Sequence, residues 1–263
     1  MPHVRTLVLV ALLMVAVGVS GTLVTLTFAV PGSTTPQEWT LDAAPVRRVE
    51  IDAPDADVDL FPTTHAEIRV TLTGRRTREQ AEVTVYGDTL RIRVARARPI
   101  GIYRGSLDLS VALPAKVYDA LQADLGNGDL KARDLHISEI RVRQGNGWSR
   151  LESLRAERIE LETRNGDLEL KHVEGLLAAR TRNGTIVVTA DALEHPMDLE
   201  TANGDVRLQI GTAPANATLD LNTRNGSTSV FGARRGPSWY HVLGNGDPVI
   251  KLTTRNGNIV VTE

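Results

Sequence analysis

The dipeptide Asn-Gly returns through the second half of the chain at nearly constant spacing, and no other feature restricts the fold so tightly. The pairs begin at Asn127, Asn146, Asn165, Asn183, Asn203, Asn225, Asn245 and Asn256, at intervals of 19, 19, 18, 20, 22, 20 and 11 residues. Apolar or threonine side chains stand six, four and two residues before most of these asparagines and three and five after them. For Asn165 these are Ile159, Leu161, Thr163, Leu168 and Leu170, with Glu160, Glu162, Arg164, Asp167 and Glu169 between them. Alternation at period two marks half-buried strands, so each repeat is read as two strands meeting at one corner.

Such a pair of strands buries its apolar row only by stacking on its neighbours. The expected core follows coil by coil: Leu121, Ala123, Leu125, Leu130 and Ala132 around Asn127, and Met197, Leu199, Thr201, Val206 and Leu208 around Asn203. Around Asn146 the row reads Ile140, Val142, Gln144, Ser149 and Leu151. The expected fold is all-β, a single-stranded β-helix or solenoid of parallel stacked coils with Asn-Gly corners. Thr at minus two and Asn at zero would form ladders between coils. Asn-Gly also closes two-residue hairpins, so an antiparallel hairpin stack is the alternative. The interval of 11 marks a modified terminal coil, with Trp239 and Tyr240 over the open end and the strand Asn258 to Thr262 finishing the stack.

Ahead of the repeat, residues 46–115 carry further period-two runs such as Val49 to Asp52, Ile68 to Leu72, Leu90 to Val94 and Leu107 to Val111. They read as the N-terminal β part of the same domain, whose Asn-Gly part spans residues 116–263. Thr77 to Ala81 is a helix start too short to count. Residues 6–30 hold no charged side chain, enough to cross about 30 Å of hydrocarbon as a transmembrane helix. Cleavage as a signal peptide after Ala29 is the alternative. Arg5 on the cytoplasmic side would place the domain outside, beyond a linker over residues 31–45.

The net charge of −2 provides no basic field, so nucleic acid is not an expected partner. The absence of cysteine excludes disulfides, thiolate catalysis and Cys-ligated zinc.

The segments LTTRNGNIVV (252–261), LETRNGDLEL (161–170), LETANGDVRL (199–208) and the lead-in over residues 107–130 resemble the bacterial putative-adhesin family of β-strand-repeat domains of unknown function. The resemblance covers Val46 to Glu263. It implies an extracytoplasmic β-solenoid-like domain with an adhesion or cell-envelope role, and it transfers no catalytic residues.

Two outward columns remain for chemistry. Asp129, Asp167, Asp205 and Asp247 share the position two after Asn. A calcium roll needs its motif every nine residues, so turn chemistry is the favoured reading and no metal or other cofactor is expected. Arg164, Arg182, Arg224 and Arg255 precede their asparagines as a ridge fitted to anionic envelope polysaccharide or phosphate. Pairing with the neighbouring acidic columns is the plainer reading of the same residues. A β-helix enzyme acting on polysaccharide would need convergent carboxylates, which the outward Asp and Glu do not provide in sequence. The expected role is therefore a non-enzymatic binding or structural module of the envelope, with a sensory or regulatory ectodomain of an envelope-stress system as the alternative.

Overall fold

The computed structural model of the protein describes residues 25–26, 36–74, 81–95 and 107–263. Every regular element among them is a strand, and the strands form two sheets. Most of the expected anchor over residues 6–30 lies outside the described residues. Thr25–Leu26 within it pair antiparallel with Gln37–Asp42. Among the described residues no helix is long and apolar enough to cross a membrane. The short helix start at Thr77 to Ala81 also falls outside, apart from Ala81, which begins the strand Ala81–Tyr86. The expected linker is shorter than residues 31–45, because Gln37–Asp42 is a strand that buries Trp39 and Leu41 against the core.

In each coil one strand enters one sheet, turns at Asn-Gly and continues into the other. Arg155–Asn165 pairs in parallel with Glu174–Asn183 and sets Ile159 opposite Leu177, Leu161 opposite Ala179 and Thr163 opposite Thr181. Beyond the corner, Leu168–Lys171 pairs in parallel with Ile186–Ala190. Hairpins would make consecutive strands antiparallel, whereas among the described residues antiparallel pairs occur only at the two ends. The inner rows named from the alternation are buried between the sheets, with Ile159, Leu161, Leu168 and Leu170 at most 1% exposed. Each such side chain contributes about 1.5–3 kcal/mol relative to leaving it in water.

At the corner the asparagine does not itself take positive φ. The glycine after it carries that conformation, as at Gly147 (φ 118) and Gly204 (φ 147). A Cβ at Gly147 would meet the Gly128 carbonyl oxygen at 2.1 Å, so coils stack here with no room for a side chain. Threonine at minus two also does not bond its like. Thr181, Thr201, Thr223 and Thr254 each donate to a glycine carbonyl of the adjacent coil's corner, at 2.8–3.1 Å. The second corner turns through single residues in the left-handed region, Asp134, Ser153 and His172. Buried Leu135 and Leu154 follow the first two of them and extend the core into the return segment.

Order along the stack departs from order in sequence at both ends. Val249–Asn256 lies between Met197–Asn203 and Ala217–Asn225, paired in parallel with both. Ile259–Thr262 likewise lies between Val206–Ile210 and Thr228–Val230. The last strand therefore fills an interior slot instead of finishing the stack. Asn245 is not a coil corner, and the irregular interval of 11 reflects a turn that leads into the cis peptide at Pro248. At the other end Arg48–Ala53 sits between Thr89–Val94 and Val117–Asn127, parallel to both. Residues 46–115 and 116–263 thus share one stack.

Candidate functional site

The outward corner between the sheets carries the columns singled out from sequence. Along its crest the Asn side chains form one continuous ladder. The Nδ2 of Asn225 donates to Oδ1 of Asn256, Asn256 to Asn203, Asn203 to Asn183, Asn183 to Asn165, Asn165 to Asn146 and Asn146 to Asn127, at 2.6–2.8 Å. Asn127 donates to Asp55 at 2.8 Å, which ends the run. All the amides point the same way, so their dipoles add with the positive end at the Asp55 carboxylate. The crest is a structural rail whose donors are satisfied by the next coil.

The aspartates two residues on serve the same purpose. Asp57 accepts the Asp129 backbone N–H, Asp129 that of Trp148, Asp167 that of Thr185 and Asp205 that of Asn258, at 2.7–2.9 Å. Trp148 stands between Asp129 and Asp167, and Thr185 between Asp167 and Asp205. These three carboxylates are therefore two coils apart, about 10 Å at the usual strand spacing. A calcium ion needs its oxygens at about 2.3–2.6 Å. Asp247 is outside the column, in the turn at Asn245, where its N–H bonds the Asn245 side chain. Among the described residues no three His, Asp or Glu side chains converge where a metal ion could sit.

The arginines form a line in an order that the sequence does not show. Strand register sets Arg164 beside Arg182, Arg182 beside Ala202, Ala202 beside Arg255 and Arg255 beside Arg224. Two pairs of cations, each about 4.8 Å apart between strands, therefore flank one alanine. All four arginines are exposed. Among the described residues none of them has an ion pair or a hydrogen bond from its guanidinium. This corrects the expectation that they pair with the acidic columns, and the reason is local. Glu162, two residues before Arg164, is held by Arg143 at 3.8 Å, and Glu200 by Arg180 at 3.5 Å. The residues two before Arg224 and Arg255 are Asn222 and Thr253, which carry no charge.

The flat faces behave in the opposite way. Arg141 bonds Glu160 at 3.1 Å, Arg150 reaches Glu169 at 2.6 Å and Arg180 reaches Asp198 at 2.7 Å. The hydrogen bond from Arg141 holds the Glu160 carboxyl below the usual carboxylate range. Glu169 is lowered by hydrogen bonds from Lys171 and then Arg150. Charge is neutralised there and left open on the ridge.

Two other places bear on chemistry. A shallow depression on the outer face near the N-terminal end is lined by Phe61, Thr63, His65, Glu67, Arg69 and Thr71, and Glu67 is its one carboxylate. At the far end Trp239 stacks on His241 with centroids 5.1 Å apart, and Arg235 lies 5.2 Å over the Trp239 ring. Trp239 opposes the inner-facing Leu221 and packs against the core as expected, whereas Tyr240, expected beside it over the open end, points outward, and His241 is exposed. Alternation and turn chemistry located the Asn, Asp and Arg columns but wrongly included Asp247, and Asp55 and Asp57, which lack an Asn-Gly beside them, were missed. The interleaving that brings Arg255 between Ala202 and Arg224 has no local sequence signal, because it is a pairing over 53 residues.

No curated protein matches the chain. Among solved structures, a putative adhesin from Bacteroides fragilis superposes with a TM-score of 0.47 at 12% identity, over 89% of this chain and 100% of that one. A putative lipid binding protein from Parabacteroides distasonis gives 0.47 at 12% identity, over 89% of this chain and 99% of that one. A putative cell adhesion protein from Clostridium sporogenes gives 0.42 at 10%, over 87% and 99%. The Toastrack DUF4097 family matches twice in succession, over residues 46–158 and 146–262, and the chain therefore belongs to the Toastrack DUF4097 family.

Proposed function

We propose that this protein is an extracytoplasmic, adhesin-like binding module of the bacterial cell envelope, a β-solenoid held at the membrane through the apolar stretch ahead of Thr25, which binds an anionic envelope polymer along its arginine ridge. The observation that carries this reading is the line Arg164, Arg182, Arg255 and Arg224, exposed and without ion-pair partners among the described residues. Like charges at strand spacing repel one another, and nothing in the fold requires arginine at these positions, since Gly126, Gly145 and Ala202 occupy the same place in other coils. A polymer with anionic groups at regular intervals, such as a uronate-bearing glycan or a phosphate-linked chain, removes that repulsion and accepts forked guanidinium hydrogen bonds. The role is binding, not catalysis.

The test replaces Arg164, Arg182 and Arg224 together with Gln and measures retention on immobilised anionic envelope polymer as salt is raised. The reading expects retention to fall at least tenfold at low salt with the thermal midpoint unchanged. Undiminished retention by a correctly folded triple variant would overturn it.

A further inference from the structure

The two ends of the stack are edges, and they are not equally protected. An edge strand offers unpaired N–H and C=O groups to any other strand, and soluble proteins usually blunt it with charge, proline or a bulge. The edge strand Ala81–Tyr86 carries Glu82, and Ala233–Arg235 carries two arginines. The edge strand Ser238–Leu243, sequence SWYHVL, is six residues long and holds no Asp, Glu, Lys, Arg or Pro. Among the described residues it pairs antiparallel with Ala217–Asn225 on one side only, at the end of its sheet.

After Ser238, which bonds Asn222, its outward side chains are large hydrophobics. Tyr240 is 66% exposed and Val242 47%. Register places Val249 in the same outward row as Val242, with Thr218 between them, and Val249 is 48% exposed. Phe231, 42% exposed, lies in the turn just before the neighbouring edge strand of the other sheet. Four of the six large hydrophobic side chains exposed among the described residues are thus at this one end. Trp239 is committed to the core, so the free groups are the backbone edge, the exposed His241 ring and the Tyr240–Val242 face.

We infer that Ser238–Leu243 pairs antiparallel with the same strand of a second copy of this chain, joining two stacks end to end about a two-fold axis. The occupant follows from the chemistry of the edge. A charged strand would bury an ion beside an uncharged row, whereas the strand's own copy brings no Asp, Glu, Lys or Arg to any matching position. Antiparallel pairing of a strand with itself satisfies the same donors and acceptors on both sides and brings Tyr240 and Val242 of each chain beside those of the other. The dimer would join the 11-stranded sheets of the two chains into one, although the pairing itself does not depend on what the arginine ridges bind.

The chain has no cysteine, so one introduced thiol reports this contact alone. Full-length chain bearing Tyr240→Cys should give a covalent dimer with a short thiol-specific crosslinker, whereas Thr84→Cys, on the opposite edge, should stay monomeric. Sedimentation should show a dimer for the unmodified chain and a monomer for Val242→Lys. The inference is overturned if Tyr240→Cys does not crosslink to itself, or if it links only to Thr84→Cys when the two are mixed, which is head-to-tail assembly. The crosslinking arm stands even if Val242→Lys fails to fold.

Discussion

Between Asn127 and Asn203 the coils stack in the order in which the chain makes them, and each Asn side chain bonds one 18 to 20 residues away. Beyond Asn203 the chain lays down the coil of Asn225, builds the edge strands, and only then returns to fill the gap, so that Asn256 bonds Asn203 across 53 residues and Asn225 across 31. The corners are chemically alike in both regions. What differs is the length of chain that must be closed, an added cost of about 1 kcal/mol for the longest closure. More important is the dependence it creates, since until the last coil is in place two inner coil faces and two rows of backbone groups have no partner. The middle is a sum of neighbour contacts, while the C-terminal end is completed by a single segment.

Removing residues 249–263 breaks that difference most severely. It exposes the slot that Ile250, Leu252, Ile259 and Val261 fill, all buried. At about 1.5–3 kcal/mol for each side chain, the loss is comparable with the roughly 5–15 kcal/mol that holds a whole domain together. The truncated chain should lose protection from hydrogen exchange over residues 197–243 while coils nearer Asn127 keep theirs. Uniform protection would show that the slot closes without its segment.

Close approach of coils predicts a second, smaller contrast. Gly147→Ala drives a Cβ against the Gly128 carbonyl in a left-handed conformation and should cost about 3 kcal/mol. At Gly232, φ 76, an added Cβ would meet nothing within 4 Å, so Gly232→Ala should cost about 1 kcal/mol from backbone strain alone. Chemical denaturation of both variants measures the difference, and equal costs would show that stacking at the corner is looser than described.

Much of this was legible in the residues. Alternation at Ile159, Leu161, Leu168 and Leu170 marked the inner row, since a period of two admits only one buried face. The roles inside the corner were less legible. The Asn ladder was expected from its constant position, but Asn and Gly both tolerate turns, and only the stacked geometry shows that Gly takes the positive φ and that Thr bonds a glycine carbonyl instead of its like. The arginines were visible as a column, but their lack of partners depends on Arg143 and Arg180 reaching Glu162 and Glu200 instead. The position of Val249 to Thr262 was not legible at all, because its sequence matches the other coils and carries no mark of which neighbours it joins.

The ladder sharpens the comparison at smaller scale. Asn165→Ala removes one donated and one accepted side-chain bond and should cost about 1–2 kcal/mol, whereas Asn225, at the end of the rail, donates only one and should cost about half as much. Thermal unfolding of the two variants checks the ratio. A larger loss at Asn225 would contradict the one-way ladder.

The central claim, that a broken line of unpaired arginines runs along the corner and is interrupted only at Ala202, has a direct measurement: the salt dependence of polyanion binding by Ala202→Arg. The interleaved order makes this substitution join Arg164 and Arg182 to Arg255 and Arg224 as one row of five cations. Binding should tighten several-fold, and the slope of log affinity against log salt should steepen by about one. An unchanged slope in a folded variant would contradict both the order of the coils and the role of the ridge.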